Sequence, residues 1–298
     1  MNQYSHSHRH YGEAMLTIED ALARILSFFH VLETEYKPIL DSLGQVLADD
    51  VMSLQDIPSM ANSAMDGYAI QAENVKGASH DSPISLDIIG HVAAGELPKV
   101  TVSPGTAVRI MTGAPLPVGA DSVVPFEDTD ELTRRETQQD MSKISVNLEV
   151  EKGSDVRPAG QDIENGQLVL TRGTILRPYE IGVLASLGHA QVKVIRRPIV
   201  GILSTGNELM EPGDTYDSSK IYNSNGFSVA AAVIRYGGLP KQIGIARDNL
   251  DSIETMLRKG LESDILITSA GVSKGDYDMV KDVLSSHGDI DFWSVKMR

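Results

Sequence analysis

The strongest constraint on the fold lies after residue 195, where short β-type runs alternate with helical segments. Residues 199–203, 242–246 and 265–268 read as strands, and 227–236 and 250–259 between them read as helices. Strands alternating with helices of this length imply a parallel α/β sheet with right-handed crossovers. Ligands in such sheets sit at the carboxyl ends of the strands. Two of those ends are Ser204-Thr205-Gly206 and Ser269-Ala270-Gly271, where small side chains let a ligand approach backbone N–H groups closely.

The preceding residues follow other rhythms. Thr17 and Asp20 form a Thr-x-x-Asp capping pattern, and Ile18, Leu22, Ile25, Leu26, Phe29 and Leu32 follow at helical spacing, which predicts an amphipathic helix. From about residue 68 to 150, segments 84–89, 107–111, 122–124 and 143–150 cluster β-formers between Gly and Pro turns and predict a small β-rich unit. The polar connection between Val124 and Ile144 reads as a solvated surface loop without chemistry. His6, His8 and His10 alternate near the N-terminus, where a mobile tail is expected rather than a metal site.

Composition narrows the function. Twenty-six basic against 41 acidic side chains give a formal charge of −15, which argues against a nucleic-acid partner but permits a local anion site. The absence of cysteine removes thiol nucleophiles, thiolate zinc sites and disulfides, so any metal must rest on oxygen or imidazole. No apolar run approaches the roughly 20 residues that span a bilayer. With no apolar signal-peptide core either, a cytoplasmic protein without membrane partners is expected.

The octapeptide Asn62-Ser63-Ala64-Met65-Asp66-Gly67-Tyr68-Ala69 resembles the hallmark loop of the molybdopterin molybdenumtransferases, the MoeA family, which includes the E domain of gephyrin. It is joined in family order by Arg109-Ile110-Met111-Thr112-Gly113-Ala114-Pro115 and Arg157-Pro158-Ala159-Gly160-Gln161-Asp162-Ile163. Ser204-Thr205-Gly206-Asn207-Glu208-Leu209 and Gly271-Val272-Ser273-Lys274-Gly275-Asp276-Tyr277-Asp278 complete the series, and the resemblance runs from about residue 14 to 298.

This resemblance implies a multidomain α/β plus β-rich fold. After a tail over 1–13 would come an extended N-terminal/linker domain built from 14–60 and 151–195. A β-rich domain is inserted at 61–150, and 196–298 forms a parallel α/β domain similar to molybdopterin adenylyltransferase. The implied reaction is Mg²⁺-dependent insertion of molybdate into adenylylated molybdopterin with release of AMP, carried out by a homodimer. Molybdopterin adenylyltransferase and apo-molybdoenzymes are the further partners it suggests. Mg²⁺ prefers hard oxygen ligands and substrate phosphates, which suits a chain without cysteine.

By the same resemblance, Asp66, Thr112, Asp162 and Glu208 are the catalytic candidates. Arg157, Ser204, Thr205, Gly206, Gly271 and Ser273 would bind the pterin, and Glu208, Asp248 and Asp278 would hold the metal. Read as bare residues, Asp66 before Gly67 is also a turn pair, and Thr112 either contacts a ligand or closes a turn. Arg157 with Asp162 is equally an exposed ion pair, and Asp248 is a plausible N-cap of the 250–259 helix. Asp276 or Asp278 could cap a helix over 279–284. Gln161 stands where the family usually has an acid, and Ala270 replaces a usual glycine.

A rival expectation is a non-catalytic molybdopterin-binding or scaffold protein. The family also continues past the position of Arg298 into a Lys-Pro-Gly-Lys-Pro-like stretch, a Pro-Gly-Asn-Pro segment and a fourth, β domain. The chain is therefore expected to be a C-terminally shortened relative with impaired molybdate insertion.

Overall fold

The computed structural model describes residues 16–269 together with 283, 295 and 296. The tail with His6, His8 and His10, the candidates Gly271, Ser273 and Asp278, and the 279–284 helix apart from Val283 lie outside the described residues. The chain packs as two compact units. Among the described residues no helix is long and apolar enough to cross a membrane.

One unit comprises Asp49–Thr174 and Pro178–Ala190. Its centre is a five-stranded sheet in the order Ser122–Pro125, Gly67–Ile70, Thr106–Ile110, Ile84–Val92, Lys143–Val146. Ile84–Val92 and Thr106–Ile110 run parallel, and the other neighbours are antiparallel. Side chains alternate across the pleat. Tyr68 and Ile70 therefore join Leu86, Val124, Ile144 and Val146 on one side, while Ala69 joins Val108, Ile110 and Val123 on the other. Full burial of each Ile or Val contributes roughly 1.5–3 kcal/mol. That sheet is the rigid base for the loops at its edge.

The connection after Val124 departs from the expected surface loop. It folds into a 3-10 turn, Phe126–Asp128, and a short helix, Glu131–Glu136, and it buries Glu131 to 1% exposure. A carboxylate can be buried only when paired. Glu131 meets Arg109 and Arg135, so the polar run that looked solvated carries a buried ionic centre.

The other unit collects Met1–Ala48, Ile175–Arg177 and Gln191–Arg298. Its three-stranded sheet places Ile199–Thr205 between Leu239–Ala246 and Ile265–Ser269, all parallel, as the strand–helix rhythm predicts. Residues 200–205 are all buried, the pattern of a strand covered on both faces. Helix Ser224–Arg235 is capped by Asn223, whose side chain accepts from the Gly226 N–H. Helix Leu250–Gly260 seats Ile253 and Leu257 against Leu203 and Ala246.

Helix Ile18–Ser27 forms as expected, with the Thr17 hydroxyl accepting from the Asp20 N–H at 3.1 Å. Its apolar stripe stays uncovered among the described residues: Ile18, Leu22 and Leu26 are more than half exposed, and only Ala21 is buried. An antiparallel sheet then pairs Gln191–Ile195 with Thr34–Pro38 on one side and Val46–Leu47 on the other.

Candidate functional site

Asp66 occupies the turn between strands Asn62–Ser63 and Gly67–Ile70. The turn is held locally, because the Ser63 hydroxyl donates to the Met65 carbonyl and accepts from the Met65 N–H. Gly67 leaves the turn against Val124, and a Cβ there would lie 2.0 Å from the Val124 carbonyl oxygen. Only glycine fits. One oxygen of Asp66, Oδ1, accepts from both the backbone N–H and the hydroxyl of Thr112, each at 2.7 Å. Those two bonds, aided by the nearby Arg109 charge, hold the Asp66 carboxyl below its ordinary pKa. Of the two readings of Thr112, the turn-closing one is satisfied by Asp66 itself.

The linker motif lies against this loop. Val156–Arg157 pairs antiparallel with Asn62–Ser63, placing Arg157 opposite Asn62, and the Ala64 N–H donates to the Asp155 carbonyl. Arg157 Nη2 lies 2.6 Å from Asp162 Oδ2, with both side chains more than a third exposed. Exposed pairs of this kind add little stability. Asp66, Thr112, Arg157 and Asp162 thus belong to one compact unit, on adjoining segments.

Beside Asp66 opens a cleft of about 460 Å³ whose walls include His91, Arg109, Phe126, Glu131 and Arg135. Of these, Glu131 is the residue that sequence reasoning passed over. No local pattern marks it, since its burial depends on Arg109, 22 positions away in the chain.

The α/β unit brings together Ser204, Thr205, Gly206, Glu208 and Asp248. Ser204 and Thr205 are buried. The Ser204 hydroxyl donates to Asn223 Oδ1 at 2.9 Å and lies 2.9 Å from the Ser269 hydroxyl, which ties the strand end to the helix cap. Gly206 adopts φ +144°, and a Cβ on it would fall 2.3 Å from Glu208 Oε2. The bare glycine lets the Glu208 carboxylate fold back over the strand end.

The expected capping role of Asp248 is corrected. Asn249 caps helix Leu250–Gly260 through its side chain, which accepts from the Ser252 N–H at 2.8 Å, while the Asp248 carboxylate turns to the Asn207 N–H. Arg247, which sequence reasoning missed, donates to the Leu209 carbonyl at 3.1 Å and braces the same turn. Its only signal is a cation directly after a strand end.

Among the described residues no group of three or more His, Cys, Asp or Glu is arranged to hold a metal. Glu208 and Asp248 supply two exposed carboxylates around one turn, a donor set suited to a hard cation that takes its remaining ligands from phosphates and water. Asp278, the third metal candidate, and the pterin candidates Gly271 and Ser273 lie outside the described residues.

Residues 16–188 match the model of the MoeA N-terminal region (domain I and II), and residues 201–298 match that of a probable molybdopterin binding domain. The molybdopterin molybdenumtransferase of Bacillus subtilis is 35% identical over 285 residues, covering 95% of this chain and 65% of that protein. Molybdopterin molybdenumtransferase 2 of Mycobacterium tuberculosis is 37% identical over 250 residues, covering 84% of this chain and 60% of that protein. The chain therefore spans less than two thirds of the length of either relative. A crystal structure of the molybdopterin biosynthesis MoeA protein from Pyrococcus horikoshii matches with a TM-score of 0.76 at 32% identity, covering 86% of this chain and 66% of that one.

Proposed function

This chain belongs to the MoeA family, and from that premise we propose that it serves molybdenum cofactor biosynthesis by Mg²⁺-dependent insertion of molybdate into adenylylated molybdopterin, with release of AMP. The observation that carries the reading is the Gly206–Glu208 strand end with Asp248 beside it, inside the region that matches a molybdopterin-binding model.

In the α/β unit, Gly206 gives the Glu208 carboxylate room over the strand end where a phosphate-bearing pterin would bind, and Glu208 and Asp248 would hold Mg²⁺ against the phosphates. The cation, when bound, supplies charge neutralisation for the phosphoanhydride. In the β-rich unit, Asp66 acts as an ionised acceptor rather than as an acid, since a carboxylate is already ionised at neutral pH and the Thr112 bonds hold its pKa lower still. Thr112 fixes the direction of that carboxylate, and Arg157 offers a guanidinium to an anionic group while Asp162 orients it. The proposal extends to the domain division at 60/61, 150/151 and 195/196. It also includes a cytoplasmic homodimer that exchanges pterin with molybdopterin adenylyltransferase and apo-molybdoenzymes.

The test supplies purified chain with adenylylated molybdopterin, Mg²⁺ and molybdate and measures AMP. Mg²⁺-dependent release is expected, falling about tenfold or more in Glu208→Gln. A cooperatively folded chain that neither binds the pterin saturably nor releases AMP would sink the proposal.

A further inference from the structure

We infer that Arg109, locked in place by the buried Glu131, is a positioning residue that holds the Asp66 turn and Thr112 in register with each other. The inference rests on the proposed role of Asp66 for its functional meaning, and on geometry for its substance.

Arg109 lies on strand Thr106–Ile110, opposite Tyr68, with its side chain 14% exposed. A single nitrogen, Nη1, donates to the Gly67 carbonyl and to the Ile110 carbonyl, each at 3.0 Å. Gly67 directly follows Asp66, and Ile110 lies two residues before Thr112. One guanidinium therefore ties both backbones that frame the Asp66–Thr112 contact. The Asp66 carbonyl accepts from the Phe126 N–H at 3.1 Å, and the Arg109 guanidinium lies 5.7 Å from the Phe126 ring and 5.3 Å from that of Tyr68.

Glu131 fixes the opposite edge of the fork. Its Oε1 accepts from Arg109 Nη2 at 3.2 Å and meets Arg135 Nη2 at 2.5 Å. Its Oε2 lies 3.0 Å from Arg109 Nε, an ion-pair distance without hydrogen-bond alignment. Burial first, and then the neighbouring Glu131 carboxylate, raise the pKa of the Tyr68 phenol. A buried ion pair is weak evidence for stability, because apolar residues of the same volume often do as well. Here the pair has a directional output that an apolar replacement lacks: two carbonyls, one on each side of the Asp66 contact. Lysine cannot replace the fork, since a point charge does not reach two carbonyls and a carboxylate in fixed directions.

The test uses the full chain with Arg109→Lys, Glu131→Gln and, as a reference, Asp66→Asn. NMR titration of the Asp66 carboxyl reads the contact without any assay of turnover. Loosening the frame should lengthen the Thr112 bonds, so the Asp66 pKa should rise by about one unit in Arg109→Lys and Glu131→Gln. AMP release should fall about tenfold in kcat with KM for the pterin unchanged, as expected when an interaction made only in the transition state is lost. An unshifted Asp66 titration in cooperatively folded variants overturns the inference. Loss of the cooperative melt in both variants overturns it too, because the pair would then be only a stability element. Full AMP release by Asp66→Asn would instead remove the functional role of Asp66, and the carboxyl titration would still decide whether Arg109 positions it.

Discussion

Asp248 and Asn207 exchange hydrogen bonds between two neighbouring strand ends: the Asp248 carboxylate accepts from the Asn207 N–H at 3.0 Å, and the Asn207 amide oxygen accepts from the Asp248 N–H at 3.3 Å. The exchange sets the turn that carries Glu208. Asp248→Asn retains an acceptor oxygen and removes the charge, so it should weaken Mg²⁺-dependent pterin binding about tenfold while shifting Tm by no more than about 1 °C. Asp248→Ala also removes the acceptor and should lower Tm by a further few degrees, roughly 2–4 °C. Calorimetric titration of both variants with and without Mg²⁺ checks this. Equal pterin affinity in all three proteins would remove Asp248 from the metal site.

Gly67→Ala is expected to disturb the Asp66 turn through packing alone. The new methyl would meet the Val124 carbonyl oxygen at 2.0 Å and its carbon at 2.8 Å, both backbone atoms that cannot swing aside. Forcing a methyl into a close-packed sheet costs about 1–3 kcal/mol. Urea unfolding should show the loss, and the Asp66 titration should move towards the ordinary carboxylate range as the Thr112 contact is pushed out of line. Wild-type stability in this variant would contradict the close approach of the two strands.

Arg196 holds Asp264 through two bonds of 2.6 Å and reaches Glu33 at 2.7 Å. The Arg196 bonds first, and then the Ile199 N–H, hold the Asp264 carboxyl down at about 2. A folded-state pKa below the unfolded one means that the unfolded chain binds more protons as the solution is acidified. The stabilisation is therefore complete above about pH 5 and is lost as the pH falls through about 2. Asp264→Asn should lower Tm by about 2–4 °C at neutral pH, and that difference should shrink steadily as the pH falls from about 5 through about 2. Differential scanning calorimetry across this window measures it, and a pH-independent difference would rule out the linkage.

Features that act within a few residues could be read directly from the chain. Thr17 caps its helix because its partner lies three positions away. The strand–helix rhythm after residue 195 produces a parallel sheet because apolar runs of that length have few other ways to be covered. The family motifs put Asp66 and Thr112 in the 61–150 domain, Arg157 and Asp162 in the 151–195 linker and Ser204 to Glu208 at a strand end, and the structure gathers the first four into one compact unit. Each of the four motifs within the described residues is a local backbone shape with its own glycine.

Tertiary structure alone decided the rest, because the deciding partners are distant in sequence. Asp248 and Asn249 are equally good caps by composition, and the exit direction of strand Leu239–Ala246 turns one towards Asn207 and leaves the other on the helix. The Ser204 hydroxyl, free to meet a ligand in a bare sequence, bonds to Asn223 and lies within bonding distance of Ser269. Glu131 sits in a run of charges that any local pattern assigns to solvent. Only the arrival of Arg109 and Arg135 at one point pairs that carboxylate well enough for it to be buried.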